Sequence, residues 1–476
     1  MMELIAKIND FAWGAPLSIV CLGFGLFLTF YLGVPFVRYF KYMKEGVTAK
    51  KQSSEGISAF AAMCVGLGSQ VGSGNIAGVA TAITIGGPGA LFWMWATALF
   101  GVSSALCETV LGQIFKNKNK LDDTDIGGPP YYIEKGMGLV GLATLYACVH
   151  MGIKCFSSLM VQANTLVTNF SNIGGVRINP VLIGIVVSIG VGVIGFGGGR
   201  RIANSCKMIV PFMSLLYVLV AILIMILNID RLGSVFLLVI KSAFSPQAAV
   251  GGVFGAGMRQ AFSQGVRRGV YSNNAGQGEM PYSMSRGSVK HPAQQGFAAM
   301  LSVAIDTLVI CTCTGFMILL ASDSVAESGE TAIALVRLAI NQHLGAFGSI
   351  FLSVSLFLFV LTSILANFFS GETDAIWLCR HKVHLTKKAV TLFRITICVS
   401  IVLGSTFQPA AVFQIADLFN IFALSGNLIA LVCMHKAARE CIEDYDRQRK
   451  EGIEEPTWDW AYADRYEQAR LAKSRK

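Results

Sequence analysis

Charged residues are scarce in the 476-residue chain, at 14% of the sequence, whereas 54% of the residues are hydrophobic. A soluble domain has roughly 25% charged and 45–50% apolar residues, so these proportions exclude an ordinary water-soluble fold. Apolar runs near the roughly 20 residues that cross a bilayer as a helix recur along almost the whole sequence. The chain is therefore predicted to be an all-α integral membrane protein that lies in a lipid bilayer and has no sizeable soluble domain.

Metal-binding and disulfide patterns are also missing. The twelve cysteines, including the pair Cys311 and Cys313, lie within or beside apolar segments without CxxC spacing. This pattern predicts neither a zinc site nor a disulfide framework. The net charge of +10 comes from Lys and Arg in short loops, so it indicates membrane topology and no nucleic-acid partner. No small-residue cleavage pattern follows the first apolar stretch, and no removable signal peptide is predicted.

Hydrophobicity predicts about eleven membrane-spanning helices. Lys and Arg cluster in the loops after the first, third, fifth, seventh and ninth spans, which indicates that these loops and the C-terminus are cytoplasmic and that the N-terminus is outside. Residues 1–435 form the membrane domain, and residues 436–476, dense in charges of both signs, are predicted to be a solvated cytoplasmic tail. The predicted spans are 14–37, 57–85, 89–115, 138–168, 179–197, 208–228, 248–280, 293–321, 345–378, 389–407 and 411–435.

The second span contains a glycine-rich polar stretch, GLGSQVGSGNIAG at 66–78. Glycine costs about 1 kcal/mol in a helix interior, and unpaired backbone in hydrocarbon costs several more. Irregular backbone at membrane depth is tolerated only where protein or a cavity satisfies it, so the stretch predicts a broken helix at a binding site. A second polar, glycine-rich stretch, GVRRGVYSNNAGQG at 265–278, lies five spans later. Paired interruptions in two five-span halves are typical of inverted-repeat transporters.

Two other interpretations of the first stretch are weaker. Residues 72–77 match the dinucleotide fingerprint G-x-G-x-x-A, but they lie in a run of transmembrane length with no sign of a preceding strand. The spacings Gly68-x-x-x-Gly72 and Gly74-x-x-x-Gly78 also suit closely packed helices. Packing alone explains neither the polar residues Gln70 and Asn75 nor the second interruption.

Six ordered stretches resemble the alanine/glycine:cation symporter family (sodium:alanine symporters), a branch of the LeuT-type transporters of the amino acid/polyamine/organocation superfamily. The resemblance covers about residues 60–430. It implies an extra first helix at 14–37, followed by a five-plus-five inverted repeat at 57–228 and 248–435 with two discontinuous helices. The matching stretches are GSGNIAGVATAI (72–83), GGPGALFWMW (86–95), GGPPYYIEKG (127–136), RGVYSNNAG (268–276), HPAQQG (291–296) with IDTLVICT (305–312), and LTSILANFFSGE (361–372).

The same resemblance implies a sodium site formed by the backbone carbonyls of Gly68 and Val71 and the hydroxyls of Thr362 and Ser363. Na⁺ is a hard cation that prefers oxygen ligands, and unwound carbonyls with hydroxyls supply them without a buried net charge. Adjacent Thr and Ser in a helix can instead hydrogen bond to carbonyls of their own helical turn.

The substrate-binding candidates lie at the two interruptions. Asn75, with the amides of Ser73 and Gly74 at the start of a half-helix, is predicted to hold a carboxylate. Gln70 and the segment Phe262-Ser263-Gln264-Gly265 are predicted to contact the amino group and side chain of the substrate. Asn and Gln at membrane depth also often satisfy neighbouring backbone groups, and that alternative remains open.

The chain departs from the family pattern at the second interruption. The family reads SNEAGLGSAP there, whereas residues 272–281 read SNNAGQGEMP, with Asn274 in place of Glu. Gln70 stands where a smaller residue is expected, and Lys154 lies in mid-span after His150. Three hypotheses for the lysine stay open: room for a more polar or anionic substrate, a cation substitute, or an ion pair with one of the acids Glu108, Asp306 and Asp417.

Arg267 and Arg268 are predicted to extend to the cytoplasmic interface, with Glu372 and Asp374 as gate partners. The sequence as a whole predicts a sodium-coupled symporter that imports a small neutral amino acid by alternating access, acts as a monomer in a prokaryotic cytoplasmic membrane and carries no cofactor besides the transported Na⁺. The open alternatives are a polar substrate such as glutamine or glutamate, proton coupling, or a channel. A channel would show a pore motif or charged ring, and an enzyme a nucleophile–base pair, and neither is present.

Overall fold

The computed structural model describes residues 2–14, 16–53, 56–170, 172–173, 176–244, 256–322, 328–407 and 409–474, and helices dominate it. Two short antiparallel pairs are the strands found there, with Asn117 opposite Ile126 and Asn172 opposite Arg177. The strands are β1 Asn117–Lys118, β2 Asp125–Ile126, β3 Asn172–Ile173 and β4 Val176–Arg177.

The first half of the chain contains α1 Met2–Gly14, α2 Pro16–Tyr31, α3 Pro35–Arg38, α4 Phe40–Thr48, α5 Ala59–Gln70, α6 Val79–Gly86, α7 Gly89–Ile114, α8 Pro129–Tyr132, α9 Val140–Gly152, α10 Ser158–Phe170, α11 Pro180–Gly195, α12 Gly198–Leu227 and α13 Ile229–Phe244. The second half contains α14 Ala256–Asn273, α15 Met280–Met284, α16 Pro292–Val303, α17 Thr312–Leu319, α18 Ala332–Leu344, α19 Ala346–Leu378, α20 Val383–Gly404, α21 Pro409–Lys450 and α22 Tyr462–Ser474. π-helical turns join several of them, at Gly74–Gly78, Ile133–Met137, Ile153–Ser157 and Ala304–Cys311.

Seven helical stretches of the described residues are long and apolar enough to cross a membrane. Three shorter apolar helices, Ala59–Gln70, Gly74–Gly86 and Pro180–Gly195, also coincide with predicted spans. This confirms an all-α membrane protein, while the count of eleven spans stays a prediction. Residues 248–255 of the predicted seventh span lie outside the described residues.

Both predicted interruptions are present. α5 ends at Gln70, Val71 adopts an extended conformation with ψ 97°, and the chain resumes as the π-helical turn at Gly74. α14 continues to Asn273, and the second interruption is residues 274–279, where Asn274 has φ 55° and Gly278 has φ 81°. The prediction that it begins at residue 265 was wrong, because the left-handed conformations begin only at Asn274.

The glycines at the start of that predicted stretch are instead packing residues. A Cβ added to Gly265 would lie 2.4 Å from the carbonyl oxygen of Ala90, and one added to Gly269 would lie 2.1 Å from Thr97 Oγ1. Because hydrogen takes the place of a side chain, α14 lies directly against α7. This contact positions the second interruption beside the first.

The C-terminal segment packs against the membrane helices. The predicted boundary at residue 435 falls inside α21, a single helix of 42 residues. Asp446 on α21 forms an ion pair with Arg38 at 2.8 Å, and Glu455 forms one with Lys50 at 2.7 Å. The predicted solvated tail therefore packs in part against the basic loops, while Glu455 and many of its other side chains stay exposed. We call the end of the bundle where this segment packs the tail face, and the end where Asn9 contacts Gln414 the opposite face.

Candidate functional site

A cavity of about 40 Å³ lies between the two interruptions, with room for only a few water molecules at roughly 10–15 Å³ each. Both interrupted helices and the continuous helices α9, α10, α19 and α21 contribute to its wall. The lining residues are Ser69, Gln70, Gly74, Tyr271, Asn274, Gln277 and Glu279 from the interrupted helices, and His150, Ile153, Lys154, Ser157, Ser158, Gln162, Asn367, Asn420 and Ala423 from the others.

Asn75 holds the first interruption in place. Its Oδ1 accepts a hydrogen bond from the amide of Gly72 at 2.9 Å, and its Nδ2 donates to Asp306 Oδ1 at 2.6 Å. The side chain is fully buried, so its amide faces protein in this conformation, as the alternative interpretation allowed. The amide of Ser73 donates to Gln162 Oε1 at 3.0 Å, and of the three predicted carboxylate-binding residues Gly74 lines the cavity.

A second buried carboxylate holds the other interruption. Glu108 on α7 accepts hydrogen bonds from the amide of Gly278 at 3.0 Å and from Asn427 Nδ2 at 2.7 Å. Asp306 connects the two interruptions, since it accepts from Asn75 Nδ2 at the first and from Ser272 Oγ, at 2.9 Å, near the end of α14. Glu108 thus supplies a partner for an amide of irregular backbone, whereas Asp306 acts through the side chains of Asn75 and Ser272.

Gln70 links the two interruptions. Its Nε2 donates to the carbonyl oxygen of Asn273 at 2.6 Å, and its Oε1 accepts from Ser302 Oγ at 2.5 Å. The side chain also lines the cavity. The family resemblance predicts a smaller residue at this position. The longer side chain of Gln70 therefore fills the space where α5 and α14 end.

The structure does not bring the segment 262–265 to the cavity. The ring of Phe262 packs edge-on against Trp93 with centroids 4.9 Å apart, and Ser263 Oγ donates to the carbonyl of Trp13 at 3.0 Å. Gln264 and Gly265 lie within α14, and Gly265 packs against α7. The reason is the position of the break, which lies nine or more residues beyond this segment.

The four residues of the implied sodium site lie close together. A Cβ on Gly68 would lie 3.2 Å from Thr362 Cβ, and one on Gly72, beside Val71, would lie 3.2 Å from Ser363 Oγ. Thr362 Oγ1 donates to its own turn, at 3.1 Å from the carbonyl oxygens of residues 358 and 359, as the alternative interpretation allowed. Ser363 Oγ accepts from Gln162 Nε2 at 3.0 Å, within reach of the first interruption.

Lys154 forms an ion pair, but not with any of the predicted acids. Its Nζ lies 2.7 Å from Glu279 Oε2, and the lysine side chain is 8% exposed. The hypothesis of a partner among Glu108, Asp306 and Asp417 was wrong, because the π-helical turn Ile153–Ser157 lies beside the second interruption.

His150 connects Glu279 to the tail face. Its Nε2 lies 2.9 Å from Glu279 Oε2 and its Nδ1 2.5 Å from Asp374 Oδ2, while Tyr282 donates to Asp374 Oδ1 at 2.5 Å. A neutral imidazole has one N–H, so it cannot donate to two carboxylates at once. The cluster therefore holds one proton beyond a neutral ring and two ionised acids.

Arg267 and Arg268 also differ from expectation. Both side chains are buried and bond to Asp417 on α21, Arg268 at 3.3 Å. They lie before the second interruption, on the side of the opposite face, because α14 continues to Asn273. The predicted gate partners have other contacts, since Glu372 pairs with Arg394 at 2.9 Å and Asp374 with His150.

Comparisons with known proteins agree with this geometry. The family model for the sodium:alanine symporter family matches residues 1–459. The chain belongs to the sodium:alanine symporter family. The symporter is 37% identical over 466 residues to a putative sodium/proton-dependent alanine carrier protein, YrbD, of Bacillus subtilis, which covers 95% of this chain and 94% of the relative.

Two further relatives carry names of different substrates. The symporter is 37% identical to the probable sodium/glutamine symporter GlnT of Bacillus subtilis, with 94% and 92% of the two chains covered. It is 32% identical to the sodium/alanine symporter AgcS of Methanococcus maripaludis, with 91% and 94% covered. The family and these relatives are transporters, so the chain is a transporter and not an enzyme, as the sequence predicts.

The fold also matches a solved transporter. The crystal structure of MhsT in complex with L-phenylalanine superimposes with a TM-score of 0.58 over 88% of the symporter and 98% of MhsT, at 16% sequence identity. This likeness confirms the LeuT-type fold expected from the sequence.

Sequence reasoning missed Gln162 and Tyr282 at the site of the symporter, and it gave Asp374 a different role as a gate partner. Gln162 joins Ser73 to Ser363, and Asp374 and Tyr282 complete the cluster around His150. One signal was available: residues four apart on a helix share a face, so His150 and Lys154 had to point to the same neighbour. That neighbour is Glu279, which lies in the stretch that departs from the family pattern.

Proposed function

We propose that the symporter imports a small neutral amino acid, such as alanine or glycine, together with Na⁺ by alternating access. The observation that carries the proposal is the polar cavity between two interrupted helices in a chain of the sodium:alanine symporter family. Backbone N–H and C=O groups that lack helical hydrogen bonds at membrane depth need partners. The carboxylate of an amino acid accepts from N–H groups, and its ammonium group donates to C=O groups.

The proposed sodium ligands are the carbonyls of Gly68 and Val71 with the hydroxyls of Thr362 and Ser363. Support comes from their proximity and from Gln162, whose amide connects Ser363 to the first interruption. Thr362 can keep its hydrogen bond to its own turn when it binds the ion, because its O–H donates and its oxygen lone pairs stay available. Cation binding then favours the arrangement of the first interruption that binds substrate, and the coupling acts equally in reverse.

The proposed substrate site is the cavity itself. The carboxylate would lie at Gly74, at the positive dipole end where the second half-helix begins. Gln70 would contact the substrate from α5. Asn75, Ser73, Asp306 and Glu108 act as positioning residues in this proposal, since their polar groups hold the interrupted backbone.

We further propose that the tail face is cytoplasmic, in a prokaryotic cytoplasmic membrane, with a monomer as the working unit. Basic loops from several predicted cytoplasmic positions meet the C-terminal segment there, including Lys50 and Lys116, the latter 4.4 Å above the ring of Trp460. The positive-inside rule supports this orientation, which places the N-terminus outside.

A more polar substrate such as glutamine is the second candidate. Of the sixteen lining residues, three lack a polar side chain: Gly74, Ile153 and Ala423. A relative named for glutamine is as similar as one named for alanine. Competition between the two amino acids for uptake separates the candidates.

The test is uptake of labelled alanine, glycine, glutamine and glutamate into proteoliposomes, with and without an inward Na⁺ gradient. We expect gradient-dependent uptake of alanine or glycine. Ser363→Ala should raise the Na⁺ concentration for half-maximal uptake roughly tenfold, the effect of losing about 1.5 kcal/mol of ligand contact. Ser370→Ala is the control, because that hydroxyl bonds only to its own helix at Ala366. Uptake indifferent to Na⁺ would contradict the proposal.

A further inference from the structure

A second cavity, of about 380 Å³, lies near the tail face. Phe369 on α19 forms part of its wall, two residues beyond Asn367 of the first cavity, or about 3 Å along the helix axis. Ile57, just before α5, and Arg286, just after α15, also line it. The residues that line it are Ile57, Asp122, Thr124, Gly199, Arg200, Arg286 and Phe369.

Arg286 is a buried cation without a carboxylate partner among the described residues. Its Nη2 donates to Thr373 Oγ1 at 2.8 Å, and its guanidinium lies 4.1 Å from the ring centroid of Phe369. The side chain is 6% exposed, and its Nε has no hydrogen-bond partner. The neighbouring acid Glu372 is engaged with Arg394. A buried charge is normally paired, so this guanidinium is suited to an anion that enters the cavity.

The start of α12 adds positive potential at the same place. A Cβ on Gly199 would lie 2.5 Å from Arg286 Nη1, so the guanidinium lies against the first turn of a 30-residue helix. Free amides and the helix dipole make this end positive, and Arg200 belongs to the same turn. A cation against a helix N-terminus is repelled, and an anion bound beside both groups relieves the repulsion.

The wall of the second cavity also contains one acidic residue. Asp122 lines the cavity, and its Oδ1 accepts hydrogen bonds within its own loop from Asn119 and Thr124. The wall therefore has a positive region at Arg286, Arg200 and the start of α12. It also has one carboxylate, that of Asp122. A zwitterion with one carboxylate and one ammonium group matches both.

We propose that this second cavity is a transit site for the amino acid between the first cavity and the cytoplasm. The guanidinium of Arg286 and the amides at the start of α12 bind the substrate carboxylate, and Asp122 accepts its ammonium group. The position of the cavity supports the assignment. The amide of Ser288 donates to the carbonyl of Ile57 at 3.0 Å, which joins the chain just before α5 to the chain just after α15 beside this cavity. The inference rests on the proposed function, because it requires amino-acid transport.

The experiment measures the KM for substrate at each face separately, in inside-out and right-side-out vesicles that contain wild type, Arg286→Gln or Arg286→Lys. We expect Arg286→Gln to raise the KM at the cytoplasmic face roughly tenfold, the effect of losing a charge-assisted hydrogen bond, and to change the KM at the outer face less than twofold. Arg286→Lys should recover part of the loss, because it keeps the charge. Arg439→Gln is the control, because that arginine forms a partly exposed pair with Glu443 and does not line the cavity.

An equal change in KM at both faces, or no change, would overturn the transit site. The proposed function would still stand in that case, provided that the wild type takes up amino acids. Absence of amino-acid uptake by wild type would overturn both. A defect of Arg286→Gln that appears only with phosphatidylglycerol in the vesicles assigns the site to a lipid phosphate, and one that appears only with added inorganic phosphate assigns it to free phosphate. Either result overturns the amino-acid assignment.

Discussion

Glu279 is the side chain on which three helices meet. It lies at the start of α15, pairs with Lys154, hydrogen bonds to His150, and accepts from Ser69 Oγ at 2.9 Å. An ammonium group, an imidazole and a hydroxyl therefore converge on a single buried carboxylate. Removing one partner of such a buried pair leaves an uncompensated charge, which costs more than the pair itself contributes.

This asymmetry gives a prediction for stability. Lys154→Met should lower the free energy of unfolding by about 3 kcal/mol, because Glu279 loses its ammonium partner. The double variant Lys154→Met with Glu279→Gln should be closer to wild type than either single variant, since no unpaired charge remains. Thermal unfolding of the purified protein measures both. Lys50→Met is the control, because its pair with Glu455 is exposed and such pairs contribute about 0–1 kcal/mol. Additive single effects would contradict the prediction.

Close contact between α7 and α14 sets where the second interruption lies. Glycine at positions 265 and 269 removes the side chains that would hold these helices apart. An exposed helical glycine has no such role. Gly190 on α11 has nothing within 4 Å of an added Cβ.

Gly269 and Gly190 allow a matched test of helix packing, because one is in close contact with another helix and the other is not. Gly269→Ala should destabilise the protein by about 2 kcal/mol, because the methyl group meets Thr97 and the backbone of Met94. Gly190→Ala should be neutral or stabilising by up to about 1 kcal/mol, as expected for alanine in an open helix position. Thermal unfolding compares the two, and equal shifts would mean that α14 and α7 are further apart.

The sequence predicted the helices and their interruptions better than the side-chain contacts between helices. Hydrophobic runs placed both interruptions in the correct helices, because unpaired backbone in lipid is costly enough to leave a clear signal. The start of the second interruption was misplaced, since glycine breaks helices and also packs them. The partners of Lys154 and Arg267 were missed, because pairing between distant helices depends on rotation about each helix axis. Local spacing does not fix that rotation.

The C-terminal segment joins loops that are far apart in the sequence. The ring of Trp458 lies 5.3 Å from His291 and 5.1 Å from Tyr462, and its amide donates to Lys290 O at 3.1 Å. Glu455 pairs with Lys50 and Lys290, so one acid connects two loops of the tail face. The segment therefore contributes to the order of the whole tail face.

Loosening the segment should expose it to protease. Trp458→Ala should speed trypsin cleavage at the arginines of residues 447–470 up to about tenfold, because ring contacts of about 0.5–1.5 kcal/mol each are lost. Limited proteolysis followed by mass spectrometry measures the rate. Ile453→Ala is the control, since that side chain is 42% exposed. Unchanged cleavage would mean that the ion pairs alone hold the segment.

The small first cavity has a consequence for the electrical properties of the cell. With room for only a few water molecules and with Lys154 and Glu279 closing its wall, it contains no continuous column of water across the bilayer. A hydrated ion does not fit such a cavity, so this conformation offers ions no open path at that point. Many copies of this carrier can therefore lie in one membrane without dissipating the voltage across it.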